Sequence, residues 1–309
     1  MPLNPQDVHV DQYLSAVSIR YTNDQLVGTT LFPRISVKKQ SDRIATFGKE
    51  HFHTYDDLRA PGTPANQISH AYGWDTYYCE PHALKEAVAD EVVDNADDPF
   101  TPLEDSTSLI TEALLLNQEI RIRDAINNNA QIPKTDVSAT SVPWNQSTAT
   151  NPDKDIINTA VARIHADTYK MPNTMIIPFE VACALTTNHK IQDLVKMTQN
   201  ILNLDGVILL PKILWGLRVV IAGAGVNSAN IGQSENMSYI WGKHVYIAYV
   251  NPKMGPRNLT FGLAMQWKQR ETKRWYDQNV SSTYIQVEEH VSEKFICPYA
   301  CHILQNVIE

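Results

Sequence analysis

The stretch TPLEDSTSLITEALLLNQEIRIRDAINNN, residues 101–129, predicts a single long helix. Thr101, Pro102 and Glu104 form the pattern of a capping box: a hydroxyl at the cap, proline at the first helical position, and glutamate three residues after the cap. The three asparagines at the end of the stretch terminate the helix. At about 1.5 Å per residue it would span roughly 40 Å, which is long for a globular domain. We therefore predict a beam-like structural helix.

The apolar residues of this stretch predict which face of the helix is buried. An apolar stripe at helical spacing is formed by Leu109, Ala113, Leu116 and Ile120. Three more apolar residues, Ile110, Leu114 and Ile126, make this stripe wider. Two cations, Arg121 and Arg123, lie towards the C-terminal end, where the helix macrodipole favours positive charge.

The chain before this helix predicts extended structure. Residues 1–30 carry mixed signals and are consistent with an extended arm that needs a partner surface. Two short strands, Ile35–Lys39 and Arg43–Phe47, are predicted around a turn at residues 40–42. The segment that follows, up to residue 80, is polar, contains prolines and glycines, and has little helical periodicity. A compact domain seldom keeps more than ~15 residues of structureless loop unless the loop has a role. We therefore expect a long hairpin that reaches outward to another molecule.

The chain after the helix mixes helices and strands and then becomes rich in strands. Asn151 and Pro152 are typical of a capped helix start. Further predicted elements are a strand at 173–178, helices at 178–187 and 189–197, strands at 206–211 and 217–223, and a hairpin of 237–241 with 244–250 turning at Gly242-Lys243. In the last sixty residues Ile285 and Val287 alternate with polar neighbours, which predicts a sheet with one solvated face.

The composition is typical of a globular protein with a substantial core. The chain has 309 residues, of which 43% are hydrophobic and 19% charged, and its formal net charge is −8. Strong nucleic-acid binding needs concentrated lysine and arginine, so this balance argues against a protein whose main surface grips nucleic acid. The first twenty residues lack the pattern of a signal peptide, and no apolar segment approaches the ~20 residues that span a bilayer. We expect a soluble protein made in the cytosol, with no membrane partner.

The stretch LRVVIAGAGVNSANIG, residues 217–232, has some features of a dinucleotide-binding loop. A strand leads into Gly223 and Gly225, but the dinucleotide fingerprint requires a third glycine where Ser228 stands. The fingerprint also requires a helix whose N-terminus receives the pyrophosphate, and the residues that follow have no helical periodicity. We expect a strand followed by a flexible loop, and no bound cofactor.

The cysteines and acidic pairs do not form a recognisable reactive site. Cys79 with His82, and Cys297 with Cys301 and His302, could be joined into a zinc site, but only the first spacing resembles a zinc knuckle. Buried free thiols are the simpler interpretation. Solvated faces explain the acidic pairs, and the signatures of serine hydrolases, zinc proteases, P-loop proteins and kinases are absent from the sequence. We therefore expect neither enzymatic activity nor a metal site.

The order of these parts resembles the tailed-phage major capsid proteins, whose HK-ninety-seven-like fold is shared by phage heads and encapsulin shells. The similarity rests on LFPRISVKKQSDRIATFGKE (31–50), LRAPGTPANQISHAYGWDTYYCEPHALKEAV (58–88), DEVVDNADDP (90–99) with LITEALLLNQEIRIRDAI (109–126), and YIQVEEHVSEKFICPYACHILQNV (284–307). These stretches cover most of the chain. The resemblance implies an α+β protein with an N-terminal arm, an extended β-hairpin loop, a peripheral domain that contains a long spine helix, and an axial domain.

The resemblance also implies a division of the chain and a function. The arm would be residues 1–30, the extended loop 31–80, the peripheral domain 81–169 and 251–309 with its spine helix at about 102–129, and the axial domain 170–250. Without enzymatic activity, the chain would assemble into hexamers and pentamers of an icosahedral head in the host bacterial cytoplasm. The head would enclose double-stranded DNA without sequence-specific binding. Portal, scaffolding or decoration proteins would be further partners, and the sequence has no long charged helical extension to serve as a built-in scaffold.

Three groups of residues are expected to make contacts between subunits if the resemblance holds. They are Lys38, Lys39, Arg43, Lys49 and Arg59 in the extended loop, Asp90, Glu91, Asp94, Asp97 and Asp98 in an acidic rim, and Gly223, Gly225 and Asn227 in an axial loop. Opposite charges on the loop and the rim could steer the docking of one subunit on the next. Some relatives crosslink a loop lysine to an asparagine of a neighbour, but no acceptor can be named in this sequence, and solvated lysines are the simpler interpretation.

Two other functions remain open at the level of sequence. An encapsulin-like nanocompartment would use the same fold to enclose protein cargo instead of DNA. A soluble nucleotide-dependent enzyme would bind its ligand at residues 217–232 and form only a modest oligomer.

Overall fold

The strands fall into two main sheets, and the helices pack against both. The computed structural model describes residues 9–48, 54, 57–59, 61–65, 67, 73–96, 100–146, 150–197, 210–230, 232–253 and 258–309. Over these residues the strands are β1 (His9–Val10), β2 (Arg34–Ser36), β3 (Ser41–Thr46), β4 (Gly73–Tyr78), β5 (Glu80–Ala89), β6 (Lys134–Asp136), β7 (Thr174–Pro178), β8 (Ile213–Leu214), β9 (Leu217–Ala222), β10 (Gly225–Asn227), β11 (Met237–Tyr239), β12 (Val245–Ala248), β13 (Gly262–Asp277), β14 (Ser282–Phe295) and β15 (Cys301–Gln305).

The α-helices over the same residues are α1 (Gln12–Arg20), α2 (Gly28–Leu31), α3 (Asp90–Asp94), α4 (Pro102–Asn128), α5 (Val137–Thr140), α6 (Pro152–Lys154), α7 (Ala162–Thr168), α8 (Phe179–Thr187) and α9 (His189–Met197). A π-helical segment, Asp155–Val161, joins α6 to α7 in one continuous helix, and a short 3-10 turn at Pro298–Ala300 precedes β15. No helix in the described ranges is both long and apolar enough to cross a membrane.

A long antiparallel hairpin of β13 and β14 forms the centre of the first sheet, which we call the hairpin sheet. Its strand order is β1-β13-β14-β5, and β2 pairs in parallel with β13. Ile285 and Val287 are fully buried, while Tyr284, Gln286 and Glu288 between them remain partly exposed. Alternate side chains of a strand point to opposite faces, so the sheet has one dry and one solvated face. The predicted alternation is confirmed.

Helix α4 lies on the dry face of the hairpin sheet, and its bounds agree with the predicted helix at 101–129. Ile110 and Leu114 pack with Ile285 and Val287, and Ile122 lies in the larger core beyond. Two details of the prediction are wrong. Leu109 is 61% exposed, because the face of Ile110 and Leu114 turns inward instead. The Thr101 side chain makes no capping hydrogen bond, so the capping box does not form.

The segment before α4 packs on its own chain and differs from the expected extended arm. Asp11 caps α1, which lies between β13 and α4, and the buried Ser18 and Thr111 hydroxyls are 2.9 Å apart. Further along, Leu31 and Phe32 are fully buried. A side chain at Gly262 would overlap the Phe32 ring, so the glycine permits this close approach. Residues 12–32 therefore form a strap across α4 and the hairpin sheet.

The extended loop begins and ends in a two-stranded ribbon of β3 and β4. The register runs from Ser41 opposite Tyr78 to Thr46 opposite Gly73. Two short strands form before residue 48 as predicted, but the predicted turn at 40–42 is wrong, because Ser41 and Asp42 belong to β3. The two strands also do not pair with each other. Strand β2 joins the hairpin sheet, and β3 pairs with β4 about thirty residues further along the chain.

The second sheet has the strand order β6-β15-β12-β7-β9-β8. Val245, Tyr246, Ile247 and Ala248 of β12 are all fully buried, as expected for a central strand covered on both faces. Strand β12 pairs with β15 and β7, and β11 pairs with β10. The predicted hairpin between residues 237–241 and 244–250 is therefore wrong. Strand β7 and helices α8 and α9 form where they were predicted.

The six-stranded sheet includes chain segments on both sides of the expected axial domain. Strand β6 and strand β15 extend the sheet, and the helix of residues 152–168 covers one face through Ile156, Ala160 and Ile164. These segments share a core with β7 and β9. The division of the chain into axial and peripheral domains stays a prediction, and we return to its boundaries below.

Two leucines of α4 provide a matched test of which face is buried. Leu114→Ala should destabilise the unassembled chain by about 2–5 kcal/mol, because Leu114 is 3% exposed and the mutation leaves a cavity. Leu109→Ala should change the free energy of unfolding by less than about 0.5 kcal/mol, because that side chain already lies in solvent. Urea denaturation measures both values. Equal losses for the two variants would contradict the assigned face.

Candidate functional site

A buried carboxylate holds three distant parts of the chain together. Glu289 of β14 is fully buried, and its Oε2 accepts hydrogen bonds from Arg270 Nε at 3.2 Å and NH2 at 3.0 Å. Arg34 NH1, from β2, donates to the same oxygen at 3.2 Å. Arg270 NH1 also donates to the Ser18 carbonyl of α1 at 3.0 Å. This arrangement, which we call the Glu289 junction, joins the strap to both strands of the long hairpin.

Polar contacts extend the Glu289 junction onto α4. Arg34 NH2 donates to Gln118 Oε1, and Gln118 Nε2 donates to Glu293 Oε1 at 3.1 Å. Arg121 forms a longer ion pair with Glu293 at 3.5 Å. The side chain of Gln118 thus connects two charged groups that belong to different elements. Helix α4, β2 and β14 are therefore held in one register by directional bonds as well as by apolar packing.

The electrostatics of the Glu289 junction favour its charged form. Burial alone would raise the pKa of Glu289, but the positive charges and hydrogen bonds of Arg34 and Arg270 outweigh it and lower the pKa. Burial lowers the pKa of Arg270, although the Glu289 charge opposes that effect. A carboxylate between two guanidinium groups in a dry core is costly to form and costly to break. The junction therefore makes the relative placement of these strands specific.

A second buried carboxylate connects the strap and α4 to the second sheet. Glu119 accepts hydrogen bonds from the backbone N–H groups of Val27 and Gly28 at 2.8–2.9 Å, and from Trp241 Nε1 at 2.7 Å. Burial raises the pKa of Glu119, and the three donors oppose that rise. An added Cβ at Gly28 would lie 2.7 Å from Glu119 Oε2, so this contact requires a glycine. Trp241 precedes β12, and Glu119 thereby links the two halves of the molecule.

Three of the predicted loop cations are brought together at the base of the extended loop. Lys38, Lys39 and Arg43 line a groove of about 500 Å³, which we call the loop groove. Its apolar lining includes Ile44, and all three cations are exposed. Lys39 pairs with Asp42 at 3.0 Å, and this hydrogen bond raises the pKa of Lys39. Of the other predicted loop residues, Arg59 is exposed and Lys49 lies outside the described residues.

The predicted acidic rim is helix α3. Asp90, Glu91 and Asp94 belong to this short helix, which has no buried residue. Tyr276 donates a hydrogen bond to Asp90 Oδ2 at 2.6 Å, which holds α3 at the end of β13. Asp97 and Asp98 lie outside the described residues. The structure therefore places three of the five acidic candidates on one exposed element.

The loop groove and α3 lie at opposite ends of strand β13. Val37, beside the loop groove, donates its backbone N–H to Gln266 at 2.9 Å, whereas Tyr276 contacts Asp90. The β14 partners of Gln266 and Tyr276, Val291 and Thr283, are eight residues apart, and a strand advances about 3.3 Å per residue, so the two ends are roughly 26 Å apart. The basic and acidic groups consequently cannot meet within one copy of the chain.

The glycine-containing stretch after β9 forms no ligand cradle. Gly225 and Asn227 are the ends of β10, which pairs with β11 and closes a small hairpin around residues 228–236. A side chain at Gly223 would overlap Gln25 of the strap. The residues described between Gly225 and β11 include no helix whose N-terminus could receive a pyrophosphate. The predicted strand is confirmed, and the segment after it is a paired hairpin instead of a free loop.

The cysteine and histidine candidates lie in separate cores. Cys79 packs with β3 and the hairpin sheet, whereas Cys297 and Cys301 belong to the main core between the sheets. Cys183 is exposed, so the prediction that all four thiols are buried is wrong for this residue. Burial raises the pKa of Cys297 to about 11 and lowers that of His302 to about 4. In the described part of the chain no three His, Cys, Asp or Glu side chains are grouped as metal ligands would be.

The two buried carboxylates were missed by motif analysis, although one left a signal in the sequence. Ile285 and Val287 mark the dry face of β14, and the same alternation places Glu289 on that face. A charged residue at a dry position indicates a buried partner, because an isolated charge would be too costly there. Nothing local identifies Arg34 or Arg270 as that partner, since they come from distant parts of the sequence.

Known proteins with similar sequences are phage capsid proteins. The chain is 26% identical over 310 residues to the major capsid protein of Pseudomonas phage JBD67, and the match covers 97% of both chains. It is 24% identical over 257 residues to the major capsid protein of Burkholderia phage BcepMu, covering 81% of this chain and 80% of the relative. No protein-family model matches the chain.

Solved structures share the fold. A phage-related protein from Bordetella bronchiseptica has a TM-score of 0.74 and 25% identity, covering 96% of this chain and 97% of its own. An encapsulin from Synechococcus elongatus has a TM-score of 0.50 and 13% identity, covering 94% and 90%. The predicted HK-ninety-seven-like α+β fold is therefore confirmed, and the sequence relationship is to the phage proteins.

Removing the charge of Glu289 should be strongly destabilising. Glu289→Gln leaves two guanidinium groups without their buried counter-charge, and we expect a loss of about 3–5 kcal/mol at pH 7 in urea denaturation of the unassembled chain. Glu80→Gln, at an exposed position of β5, is the matched control and should change stability by less than about 0.5 kcal/mol.

The free energy of unfolding of Glu289→Gln should also depend less on pH in acid than that of the native chain. Because the pKa of Glu289 is lowered, its contribution is present above its ordinary value near 4.5 and is lost as the pH falls through the folded-state pKa. Glu289→Gln should therefore show a shallower loss of stability below pH 4.5 than the native chain. Parallel stability curves for the two proteins would show that the carboxylate is not held charged by its neighbours.

Proposed function

We propose that this chain, which is similar over nearly its whole length to tailed-phage major capsid proteins, is itself a major capsid protein. It assembles into the hexamers and pentamers of an icosahedral head that encloses double-stranded DNA. The observation that carries the proposal is the match to a phage major capsid protein across 97% of both chains. A shared domain alone would leave large parts of one chain unmatched, whereas here every part of the fold has a counterpart.

The positions of the charged surfaces support repeated contact between copies. The loop groove and α3 carry opposite charges at opposite ends of β13, roughly 26 Å apart. A contact between unlike surfaces of identical subunits is heterologous, and it generates a ring when the rotation closes. Docking of the loop groove of one copy near α3 of the next would satisfy both charges. This geometry suits a ring of five or six subunits better than a two-fold dimer.

We assign the four parts of the fold with revised boundaries. The spine helix is α4, the extended loop is the ribbon of β3 and β4 with the residues between them, and the peripheral domain is built on the hairpin sheet. The axial domain is built on the six-stranded sheet, so it takes residues 130–169 and 301–309 as well as 170–250. This change follows from the shared core of β6, β15, β7 and the helix at 152–168.

The hairpin of β10 and β11 is proposed as a contact around the capsomer axis. Gly225 and Asn227 lie on its first strand, and Met237 on the second is 65% exposed. An exposed methionine on a short hairpin is suited to packing against a copy of itself, because its flexible side chain adapts to small changes of angle. The proposal gives the glycine stretch a role in symmetry in place of ligand binding.

The remaining parts of the proposal concern partners and location. The protein acts without enzymatic chemistry, resides in the virion, and is assembled in the host cytoplasm with portal, scaffolding or decoration proteins encoded separately. The encapsulin alternative rests on a shared fold at 13% identity, whereas the phage relatives match in sequence. The nucleotide-enzyme alternative has no support from residues 217–232, where β9 continues into a paired hairpin.

Electron microscopy of the expressed chain tests the central proposal. We expect closed shells or rings of five and six subunits, either from the chain alone or after its scaffolding partner is supplied. Particles that package nucleic acid would support a phage head, while particles filled with one enzyme would support an encapsulin. A chain that remains a small oligomer under both conditions would contradict a capsid function.

Charge reversal tests the contact between the loop groove and α3. Lys38→Glu with Lys39→Glu should weaken assembly and reduce the salt and heat resistance of any shells, because both ends of the contact become acidic. Glu91→Lys with Asp94→Lys should have the same effect by itself. Combining all four substitutions should restore assembly, as measured by sedimentation. Normal shells from either double variant would refute this contact.

A further inference from the structure

A groove beside the N-terminal strap is unusual in its charge. It measures about 480 Å³ and lies between α2 and one end of the six-stranded sheet, where β7 and β9 begin and β12 ends. Its polar lining comes from Thr29, Thr30, Asn173, Thr174, Arg218 and Asn251, and no carboxylate lines it. We infer that this groove, which we call the strap groove, contacts the phosphate backbone of enclosed duplex DNA. The inference rests on the proposed function.

Backbone pairing fixes Arg218 at the strap groove. Arg218 pairs with Thr174 in the parallel ladder, and its backbone N–H donates to the Asn173 carbonyl at 2.9 Å. Asn173 in turn bonds the backbone of Val250 through both ends of its amide, at 2.7 and 3.0 Å. These contacts hold the loop after β12 against the start of β9. The groove is therefore a rigid feature of the sheet end.

Three further exposed cations lie close along the chain to the elements that line the groove. Lys253 follows the Asn251 loop, where its backbone N–H is bonded to the Asn251 side chain at 2.9 Å. Lys170 precedes Asn173 by three residues, and Lys212 adjoins the end of β8. These three lysines and Arg218 are exposed, and none forms an ion pair within the residues that the structure describes. The chain as a whole has a net charge of −8, so an uncompensated group of four cations is a local exception.

The chemistry of the lining suits the oxygens of a phosphate. Threonine hydroxyls and an arginine fork are the groups that proteins use to hold phosphate oxygens, and such contacts carry no sequence information. No aromatic residue lines the strap groove, so it offers no platform on which unpaired bases could stack. The loop groove differs, because Asp42 neutralises Lys39 and the lining is largely apolar. The strap groove is thus the better match to the backbone of a duplex.

The expected affinity of the strap groove for DNA suits a shell that must release its DNA. Each phosphate neutralised contributes about −0.9 to the slope of log affinity against log salt, so four cations give a slope no steeper than about −4. Contacts of this number are weak at physiological salt. Repeated over many subunits they would order the outermost DNA without fixing it to any sequence.

Binding of a fluorescent 20-base-pair duplex to the full chain before assembly tests the inference. Arg218→Gln with Lys253→Gln should weaken binding roughly tenfold or more at low salt and reduce the salt slope by about 2. Lys154→Gln with Lys243→Gln removes the same charge elsewhere and should change neither quantity by a comparable amount. Circular dichroism and electron microscopy of each variant establish that it folds and assembles.

The outcomes separate this inference from the proposed function. Equal loss of affinity in the groove and control variants, or no loss in either, would overturn the strap groove as a DNA contact. Displacement of the duplex by poly-glutamate at the same charge concentration would also overturn it and assign the groove to an acidic protein partner. If the Arg218→Gln with Lys253→Gln variant forms normal shells and binds the duplex with unaltered affinity, the inference fails while the capsid function stands. A native chain that forms no shells contradicts the function by itself.

Discussion

The architecture depends on one carboxylate that lies between two guanidinium groups in a dry core. Glu289 is bonded by Arg270 of the neighbouring strand and by Arg34 of β2, and both guanidinium groups donate to its Oε2. Apolar packing alone tolerates small slips of one element past another, because its contacts are not directional. Hydrogen bonds of 3.0–3.2 Å to a single oxygen do not tolerate such slips. The strap, the long hairpin and α4 are consequently locked in one arrangement.

The two buried carboxylates stabilise different parts of the molecule. Glu289 organises the half built on the hairpin sheet, and Glu119 joins that half to the six-stranded sheet through Trp241. Both are tied to the strap, because Val27 and Gly28 donate to Glu119 and the Ser18 carbonyl accepts a hydrogen bond from Arg270, the partner of Glu289. A subunit that contacts several neighbours needs a firm connection between its two sheets. A force applied to one sheet must reach the other without separating them. The strap therefore serves the interior of its own subunit.

Much of the local structure was predictable from the sequence, and most of the pairing was not. Helix α4 has strong local signals over 27 residues, and α8 and α9 begin at their proline and asparagine boundaries. The buried face of α4 was ambiguous, because Leu109 and Leu114 both belong to plausible apolar stripes and only the tertiary partner decides between them. Strand β2 pairs with β13 more than two hundred residues away, and no local pattern specifies such a partner. The contacts between copies stay predictions, because they depend on a second chain.

Two bulges in β13 set the angle between the two ends of the subunit. The register of β13 against β14 shifts between Gln266 and Lys268 and again between Lys268 and Glu271. Both shifts lie between the loop groove and α3, and bulges are places where a strand bends and its twist increases. The loop groove and α3 are therefore presented at a fixed angle to each other, because the strand that joins them bends twice between them.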